Sequence, residues 1–465
     1  MEQVNCLTLA GLARYDATYD PLVAAGPGHN QSLAPTYWAA TAGTPPPDDG
    51  PIAKDTDVDV AVIGGGYTGL ATAIFLAKEH GIRATVLEAN RLGWGCSGRN
   101  GGQSQNAGGR LSRSQWVERW GIDIARRMHE ECTSAYRTLD ALIREHDIAC
   151  DPQPGGHLYI AHRAKMLSKL HAESRVRTEQ FGYECPMVDA RSVRSRFVND
   201  TEAAGAMHEP DGTGVHPLKL VYGCVRVARE LGAAVHPASP VLGWEVRNGT
   251  HYLKTPGGTV RARAVAIGTG AYTAAALHPS LAQRYFPVLS NSIVTRPLTQ
   301  RELEACNWLT TQVITDTRTL RFYYRRLPDD RVQIGSRSAI TGRDAPRKQH
   351  LDVLVRGLHR KFPALKGIEI DYSWWGWVDV SHDMMPRIFR PDPAQDVVYA
   401  LGYGGNGVSF SFKGGRRMAQ KIAGKTEDHD LPILSSPLPA HALAPLRRIG
   451  QWLLYRYYYL HDEFL

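Results

Sequence analysis

Three glycines and one acid carry the first chemical signal in this sequence. Gly64, Gly66 and Gly69 form a G-x-G-x-x-G pattern within Gly64-Gly65-Gly66-Tyr67-Thr68-Gly69, and Glu88 lies 24 positions after the first of them. The pattern suits a pyrophosphate for reasons of space. Its first glycine permits a tight turn, its second lets backbone approach the phosphates, and its third lets helix and strand pack closely. The phosphates then meet the amide-rich positive end of the helix. A carboxylate at the end of the next strand accepts hydrogen bonds from a ribose hydroxyl and disfavours a 2′-phosphate, so NADP is not expected. The setting matters more than the glycines. Val58-Asp59-Val60-Ala61-Val62-Ile63 reads as a buried parallel strand, Leu70, Ala73, Ile74 and Ala77 recur at helical spacing, and Ala84 to Glu88 reads as a second strand.

The segment after Glu88 decides between nucleotides. The run Ala89-Asn90-Arg91-Leu92-Gly93-Trp94-Gly95-Cys96-Ser97-Gly98-Arg99-Asn100-Gly101-Gly102-Gln103 is built of small residues with one asparagine–arginine pair of donors near its end. It lets backbone pass close to a large flat ligand, which a nicotinamide dehydrogenase does not need at this point. Much later, Val397-Val398-Tyr399-Ala400 reads as a buried strand opening onto Gly402-Tyr403-Gly404-Gly405-Asn406-Gly407 and a helix from Val408 to Ile422. These runs resemble the D-amino acid oxidase-like FAD-dependent oxidoreductases, nearest the gamma-glutamylputrescine oxidase branch, from about Tyr37 to the tail. The resemblance implies that Gly64, Gly66, Tyr67, Thr68 and Gly69 hold the pyrophosphate of FAD, with Glu88 and Ala89 at the ribose. It also implies that Ser97, Arg99, Asn100, Gly101, Gly102 and Gln103 line the cofactor, that Val241 touches adenine through its backbone, and that Thr269 and Gly270 belong to a second contacting loop. Gly404, Gly405, Asn406, Gly407 and Val408 would lie beneath the flavin pyrimidine ring, where helix amides stabilise charge at N1 and O2.

The same resemblance implies the chemistry. An amine with an α C–H gives a hydride equivalent to flavin N5, and water hydrolyses the resulting imine to an aldehyde or ketone. The protein's work is positioning, desolvation and electrostatics, so no obligatory catalytic base is named. Tyr323, Trp375 and Tyr403 are candidate aromatic walls for a small-molecule amine, and Arg325 or Arg337 is a candidate partner for a substrate carboxylate. A gamma-glutamylputrescine-like amine of polyamine catabolism is the expected substrate class, with O2 as the expected acceptor. A dehydrogenase using another electron acceptor stays open, and an NAD(P)H-dependent monooxygenase is the weaker rival. Two departures are visible: Trp377 replaces a glycine of the family's W-G-G segment, which could reshape the pocket, and Ser381 stands where threonine is usual. No histidine lies between Glu88 and Arg110 and the late loop has no cysteine, so FAD is expected to be noncovalent. No metal site is expected.

The elements that must position these residues give the expected fold class, α/β: a doubly wound Rossmann-type FAD-binding domain interleaved with an α+β substrate domain carrying an antiparallel sheet. An irregular Gly/Pro-rich arm occupies 1–54, with Pro35-Thr36-Tyr37-Trp38 packing it down. The FAD domain is expected from 55–110, 201–285 and 372–425, the substrate domain from 111–200 and 286–371, and a C-terminal tail from 426–465.

Composition limits the remaining classes. The 465 residues are 43% hydrophobic and 22% charged, which excludes a disordered or fibrous chain. No apolar run is long enough to span a bilayer, and Met1 to Arg14 lacks the pattern of a secretory leader. Seven scattered cysteines, Cys6, Cys96, Cys132, Cys150, Cys185, Cys224 and Cys306, have no C-x-x-C spacing and read as reduced thiols of a cytoplasmic enzyme. The net charge of +8 is spread thinly, without a basic run, so nucleic acid is not an expected partner. The aromatic tail Trp452 to Leu460 is expected to pack on its own domain or a subunit partner rather than on a membrane; oligomeric state is not legible.

Overall fold

The computed structural model describes residues 12–425 and 430–463. Cys6 and most of the Met1 to Arg14 segment lie outside the described residues. The chain enters as β1 (Thr56–Ile63), turns at Gly64 into α1 (Tyr67–His80) and returns as β2 (Ala84–Leu87). Helix α2 (Ile122–Glu145) leads to β3 (His157–Ala161) and β4 (Gly205–Glu209). The chain comes back through α3 (Pro217–Glu230), β5 (Ala234–His236) and β6 (Gly258–Ile267). It leaves again as β7 (Tyr285–Thr295), β8 (Val313–Asp316), β9 (Tyr323–Arg326), β10 (Val332–Ser336) and β11 (Ile370–Ser381). Strand β12 (Val397–Leu401) and α4 (Gly407–Ile422) return to the first half, and α5 (Arg447–Glu463) closes the chain.

Two sheets result. The first has a parallel core in the order β5-β2-β1-β6-β12. The β-branched and alanine-rich strands are buried on both faces, as parallel strands require: Val60, Ala61 and Val62 are fully inaccessible. Helices α1, α3 and α4 cover one face; the antiparallel strands Gly243–Arg247 and Thr250–Thr255, with Leu438, cover the other. The second sheet runs β11-β7-β10-β9-β8-β3-β4 and is antiparallel except where β8 meets β3. The α/β class and the interleaving match the reading from sequence.

Strand membership differs from the expected boundaries in two places. Gly205–Glu209, expected among the FAD-binding segments, pairs instead with His157–Ala161, and Ile370–Ser381, expected there from 372, pairs along its length with Tyr285–Thr295. Both strands lie beside chain turns, and their partners are distant in sequence, so local pattern carries no information on which sheet receives them. Two consecutive helices, Arg113–Trp120 and Ile122–Glu145, meet at Gly121.

The second sheet is underpinned by a buried charge cluster. Lys361 is fully inaccessible, with Nζ 3.1 Å from Glu202 Oε2, 3.1 Å from Asp316 Oδ2 and 3.6 Å from Asp200 Oδ2. Arg318 adds a second cation, donating to Glu202 at 2.7 Å and to Asp316. Burial works to raise the Asp316 carboxyl, but Lys361 and Arg318 overcome it and hold it at about 2. At the more distant Asp200 burial prevails and the carboxyl is pushed up.

Lys361→Met should therefore lower unfolding free energy by about 3–5 kcal/mol, the cost of orphaning buried partners, read as a shift in the denaturation midpoint. Because the Asp316 pKa is depressed, its contribution is complete above the unfolded value of about 4 and is lost as pH falls toward 2. Thermal melts of the parent across that window should fall more steeply than those of Asp316→Asn.

Candidate active site

One continuous cavity runs from the carboxyl ends of β1 and β2 to the face of the second sheet, lined by residues of both halves. At its nucleotide end the glycines divide the work. Gly64 has φ +104°, and a Cβ there would lie 2.8 Å from the Gly268 carbonyl oxygen. A Cβ on Gly66 would lie 2.8 Å from Ser97 Oγ, so both leave backbone exposed to the cavity. Gly69 does not line it; its missing Cβ would sit 1.9 Å from the Gly64 carbonyl oxygen, and it serves the crossing of α1 over β1. The Tyr67 N–H donates to Ser97 Oγ at 3.0 Å, whereas its hydroxyl donates to the Pro217 carbonyl at 3.0 Å in the core. Glu88 accepts from the N–H groups of Gly65 at 2.8 Å and Asn90 at 3.0 Å; burial nevertheless raises its pKa above the ordinary value. Thr68, Ala89, Val241, Thr269 and Gly270 line the same end.

The middle run is a clamped turn. Trp374 Nε1 donates to the Arg99 carbonyl at 2.8 Å and Trp38 Nε1 to the Asn100 carbonyl at 2.9 Å. The Asn100 side chain closes the turn by donating to Cys96 and Ser97 carbonyls, both at 3.1 Å, and accepting from Gly102 N–H at 2.8 Å. Arg99 is boxed by aromatic rings, its Cζ 5.1 Å from the centroids of Tyr15 and Trp94. Ser97, Arg99, Asn100, Gly101 and Gln103 line the cavity; Gly102 does not, being held at φ +64° against the Val215 carbonyl. Cys96 lines it, and burial pushes its thiol up to about 12, so it is no nucleophile at neutral pH. No histidine is among the lining residues that the structure describes.

The late loop closes the opposite wall. Asp379 accepts from Gly402 N–H through its carboxylate at 2.5 Å and from Gly404 N–H through its carbonyl at 2.8 Å. Gly404, Gly405, Asn406, Gly407 and Val408 all line the cavity, and α4 starts there with its first amides free of intrahelical partners.

At the far end, the substrate-side candidates separate. The Tyr323 ring lies against Gly101 and Gly335, where added Cβ atoms would meet it at 2.7 and 2.2 Å, and its hydroxyl is 2.9 Å from both Ser290 Oγ and Ser292 Oγ. Tyr323, Arg337 and Tyr403 line the cavity, although the Tyr403 hydroxyl turns to Thr68 Oγ1 at 2.9 Å. Arg325 does not reach it. Its guanidinium donates to Gln153 at 2.8 Å and to the Val215 carbonyl at 2.6 Å, and burial pulls its pKa down to about 10. Tyr323 and Arg325, two positions apart, share one face of β9, yet Arg325 is kept from the cavity by these partners behind the clamped turn. Trp375 is also absent from the lining; its indole donates to the Ala17 carbonyl at 3.0 Å. Trp377 donates to the Tyr19 carbonyl at 2.9 Å and packs with Tyr19, Trp94 and Tyr272. Its bulk is thus absorbed by the amino-terminal arm, not by the pocket.

Sequence reasoning missed Arg110, Arg321 and Asp379, all on the lining. Arg110 extends the small-residue run through Gly108-Gly109 and could have been included with it; Arg321 and Asp379 carry no local signal. The cradle nevertheless fits a dinucleotide, since Gly64, Gly65 and Gly66 bring bare backbone onto the cavity at the N-terminus of α1.

The chain matches the family model described as FAD dependent oxidoreductase over residues 59–421. It is 32% identical over 439 residues to gamma-glutamylputrescine oxidoreductase of Escherichia coli (strain K12), covering 92% of this chain and 98% of that protein. Among solved structures it is similar to glycine oxidase from Geobacillus kaustophilus, with a TM-score of 0.70 at 21% identity over 83% of this chain and 99% of that one. It is also similar to iminodiacetate oxidase from Chelativorans sp. BNC1, with a TM-score of 0.66 at 18% identity, 82% of this chain and 100% of that one. These last two establish the fold alone. With its glycine cradle, clamped turn and late loop on one cavity, this chain belongs to the DAO family and is an FAD-dependent oxidoreductase.

Proposed function

We propose that this enzyme oxidises the C–N bond of a small carboxylated amine, gamma-glutamylputrescine being one candidate, and passes the electrons to O2 with formation of H2O2. The observation that carries the reading is the single cavity joining the dinucleotide cradle to a wall bearing Tyr323 and Arg337. FAD, when bound, supplies a two-electron acceptor that takes the α C–H as a hydride. The residues assigned to hold it are the amides and turns at Gly64, Gly66, Tyr67 and Thr68, Glu88 with Ala89 at the ribose, Val241 with Thr269 and Gly270 nearby, Ser97 to Gly101 with Gln103, and Gly404 to Val408. Gly69 and Gly102 act by packing.

The chain's own contribution is binding and exclusion of water. Arg337 pairs with the substrate carboxylate, and the Tyr323 and Tyr403 rings wall the carbon to be oxidised. The amine enters the reaction neutral, its ammonium proton having gone to solvent; loss of a hydride from the α carbon and of a proton from nitrogen leaves a C=N bond that water splits to carbonyl and amine. The buried free cysteines suit a reducing compartment, and we place the enzyme in the cytoplasm.

Acid precipitation should leave yellow cofactor in the supernatant, because the lining provides no activated nucleophile; colour in the pellet would overturn noncovalent binding. Gly64→Ala adds a Cβ in a left-handed conformation against Gly268, costing about 1–2 kcal/mol in strain alone, and should lower the ratio of absorbance near 450 nm (roughly, a property of the flavin) to that at 280 nm in the purified protein.

Under anaerobic conditions a carboxylated amine should bleach the flavin band, and subsequent aeration should yield H2O2. Arg337→Ala should raise KM by about tenfold to a hundredfold, the range of one lost charged hydrogen bond of about 1.5–3 kcal/mol. Arg325→Ala should leave KM unchanged while lowering the melting temperature. A reversed pattern would remove Arg337 from the pocket.

A further inference from the structure

The substrate end of the cavity holds more positive charge than one carboxylate can answer. Arg110 Nη1 and Arg337 Nη2 both donate to the Gly404 carbonyl, at 3.3 and 3.2 Å, so their head groups lie side by side. Arg321 lines the same cavity, with its Cζ 5.6 Å from the Tyr159 ring centroid, and its buried Nε has no hydrogen-bond partner. Among the described residues no carboxylate forms an ion pair with any of the three. Some buried guanidiniums are ion-paired, Arg318 with Glu202, Asp316 and Glu463 and Arg177 with Glu173 and Glu209, while Arg99 and Arg325 are held by neutral acceptors in the chain; Arg321 Nε has neither kind of partner among the described residues. The two acids of the cavity are engaged elsewhere, Asp379 with the Gly402 amide and Glu88 with the Gly65 amide at the nucleotide end.

The arginine end is also roofed. Helix α5 is anchored on one side of Tyr455 by Arg448 donating to Asp20 at 2.7 Å. On the other side Glu463 accepts from Arg360 at 2.8 Å, and Asp462 accepts from the Leu320 N–H at 3.0 Å, next to Arg321. The Tyr455 hydroxyl between these anchors is buried without a partner. Half-buried and unpaired, these like charges repel one another.

We propose that Arg110, Arg321 and Arg337 form a subsite for two carboxylates, so that the preferred substrate is a small amine carrying a double negative charge. The mutual repulsion is visible in Arg110, held well below its ordinary range by Arg337 first, then by burial and Arg321; bound carboxylates relieve it. An amine with a free terminal ammonium brings its charge toward three cations and is disfavoured, which ranks gamma-glutamylputrescine, with its single carboxylate, below a dicarboxylated amine. The inference rests on the reading that the cavity takes a carboxylated amine, which it narrows.

The test uses the flavin-loaded protein and calorimetric titration with redox-inert probes: malonate, succinate and glutarate against acetate, propionate and butyrate. At least one dicarboxylate should bind about tenfold or more tighter than its monocarboxylate counterpart. Arg110→Gln and Arg321→Gln should each abolish that preference while leaving monocarboxylate affinity within about threefold, and Arg321→Lys should restore part of it. Equal affinity for the two series, or variants that weaken both equally with unchanged flavin content, would overturn the proposal. A parallel anaerobic panel of glycine, sarcosine, iminodiacetate and gamma-glutamylputrescine separates the two levels. Bleaching by none of them, with the dicarboxylate preference intact, removes the proposed reaction and leaves the anion subsite; equal bleaching by singly and doubly charged amines removes the subsite and leaves the reaction.

Discussion

The structure depends on how closely two helices can approach one strand–turn. Helix α1 crosses β1 where Gly69 faces the Gly64 carbonyl, and α4 crosses α1 where Gly415 faces Thr68, with room at neither contact for a side chain; a Cβ on Gly415 would lie 2.8 Å from the Thr68 carbonyl oxygen. Close backbone contact at these points brings both helix N-termini onto the same cavity, although their sequences are more than three hundred residues apart. Each terminus carries unpaired amides and partial positive charge. An anionic dinucleotide is the natural occupant of the space between them.

The rest of the molecule holds that space open and dry. Tryptophans 38 and 374 hold the Arg99–Asn100 turn by its carbonyls, which frees side chains such as Asn100 to brace the turn from within. The amino-terminal arm reinforces this wall: Tyr15 and Tyr19 pack with Trp94, Tyr272 and Trp377 around the Arg99 guanidinium. Segments that look expendable in sequence, the Gly/Pro-rich arm and the aromatic tail, are therefore parts of the cavity's enclosure. The tail still presents Trp452, Leu453, Tyr457 and Leu460 outward, each about half exposed, while its polar residues make the anchoring contacts.

Electrostatics divides the cavity in two. The nucleotide end offers amides and one buried carboxyl; the far end offers guanidiniums without acidic partners. Burying such groups unpaired is costly. In the Lys361 cluster, by contrast, charges of both signs are enclosed together and the result is structural.

The glycine pattern, Glu88, the clamped run and the late loop were legible because their function is local: each is a short stretch whose backbone must turn tightly or approach a ligand closely, and only certain residues allow that. Strand and helix identity was legible for the same reason. Sheet membership of Gly205–Glu209 and Ile370–Ser381 was not, since β-pairing joins segments distant in sequence. Nor could the sequence tell which arginine of the substrate-side strands reaches the cavity. Arg325 and Arg337 look alike in the chain, yet one is spent on Gln153 and Val215 and the other opens onto Gly404. Trp375 read as a pocket wall and Trp377 as a residue that reshapes the pocket, whereas both indoles are bonded to the arm. Arg110 and Arg321 became neighbours of Arg337 only when the run after Gly109, the turn before β9 and the late loop converged. A side chain's direction and its partners are set by tertiary contacts, and those contacts decided the charge of the substrate end.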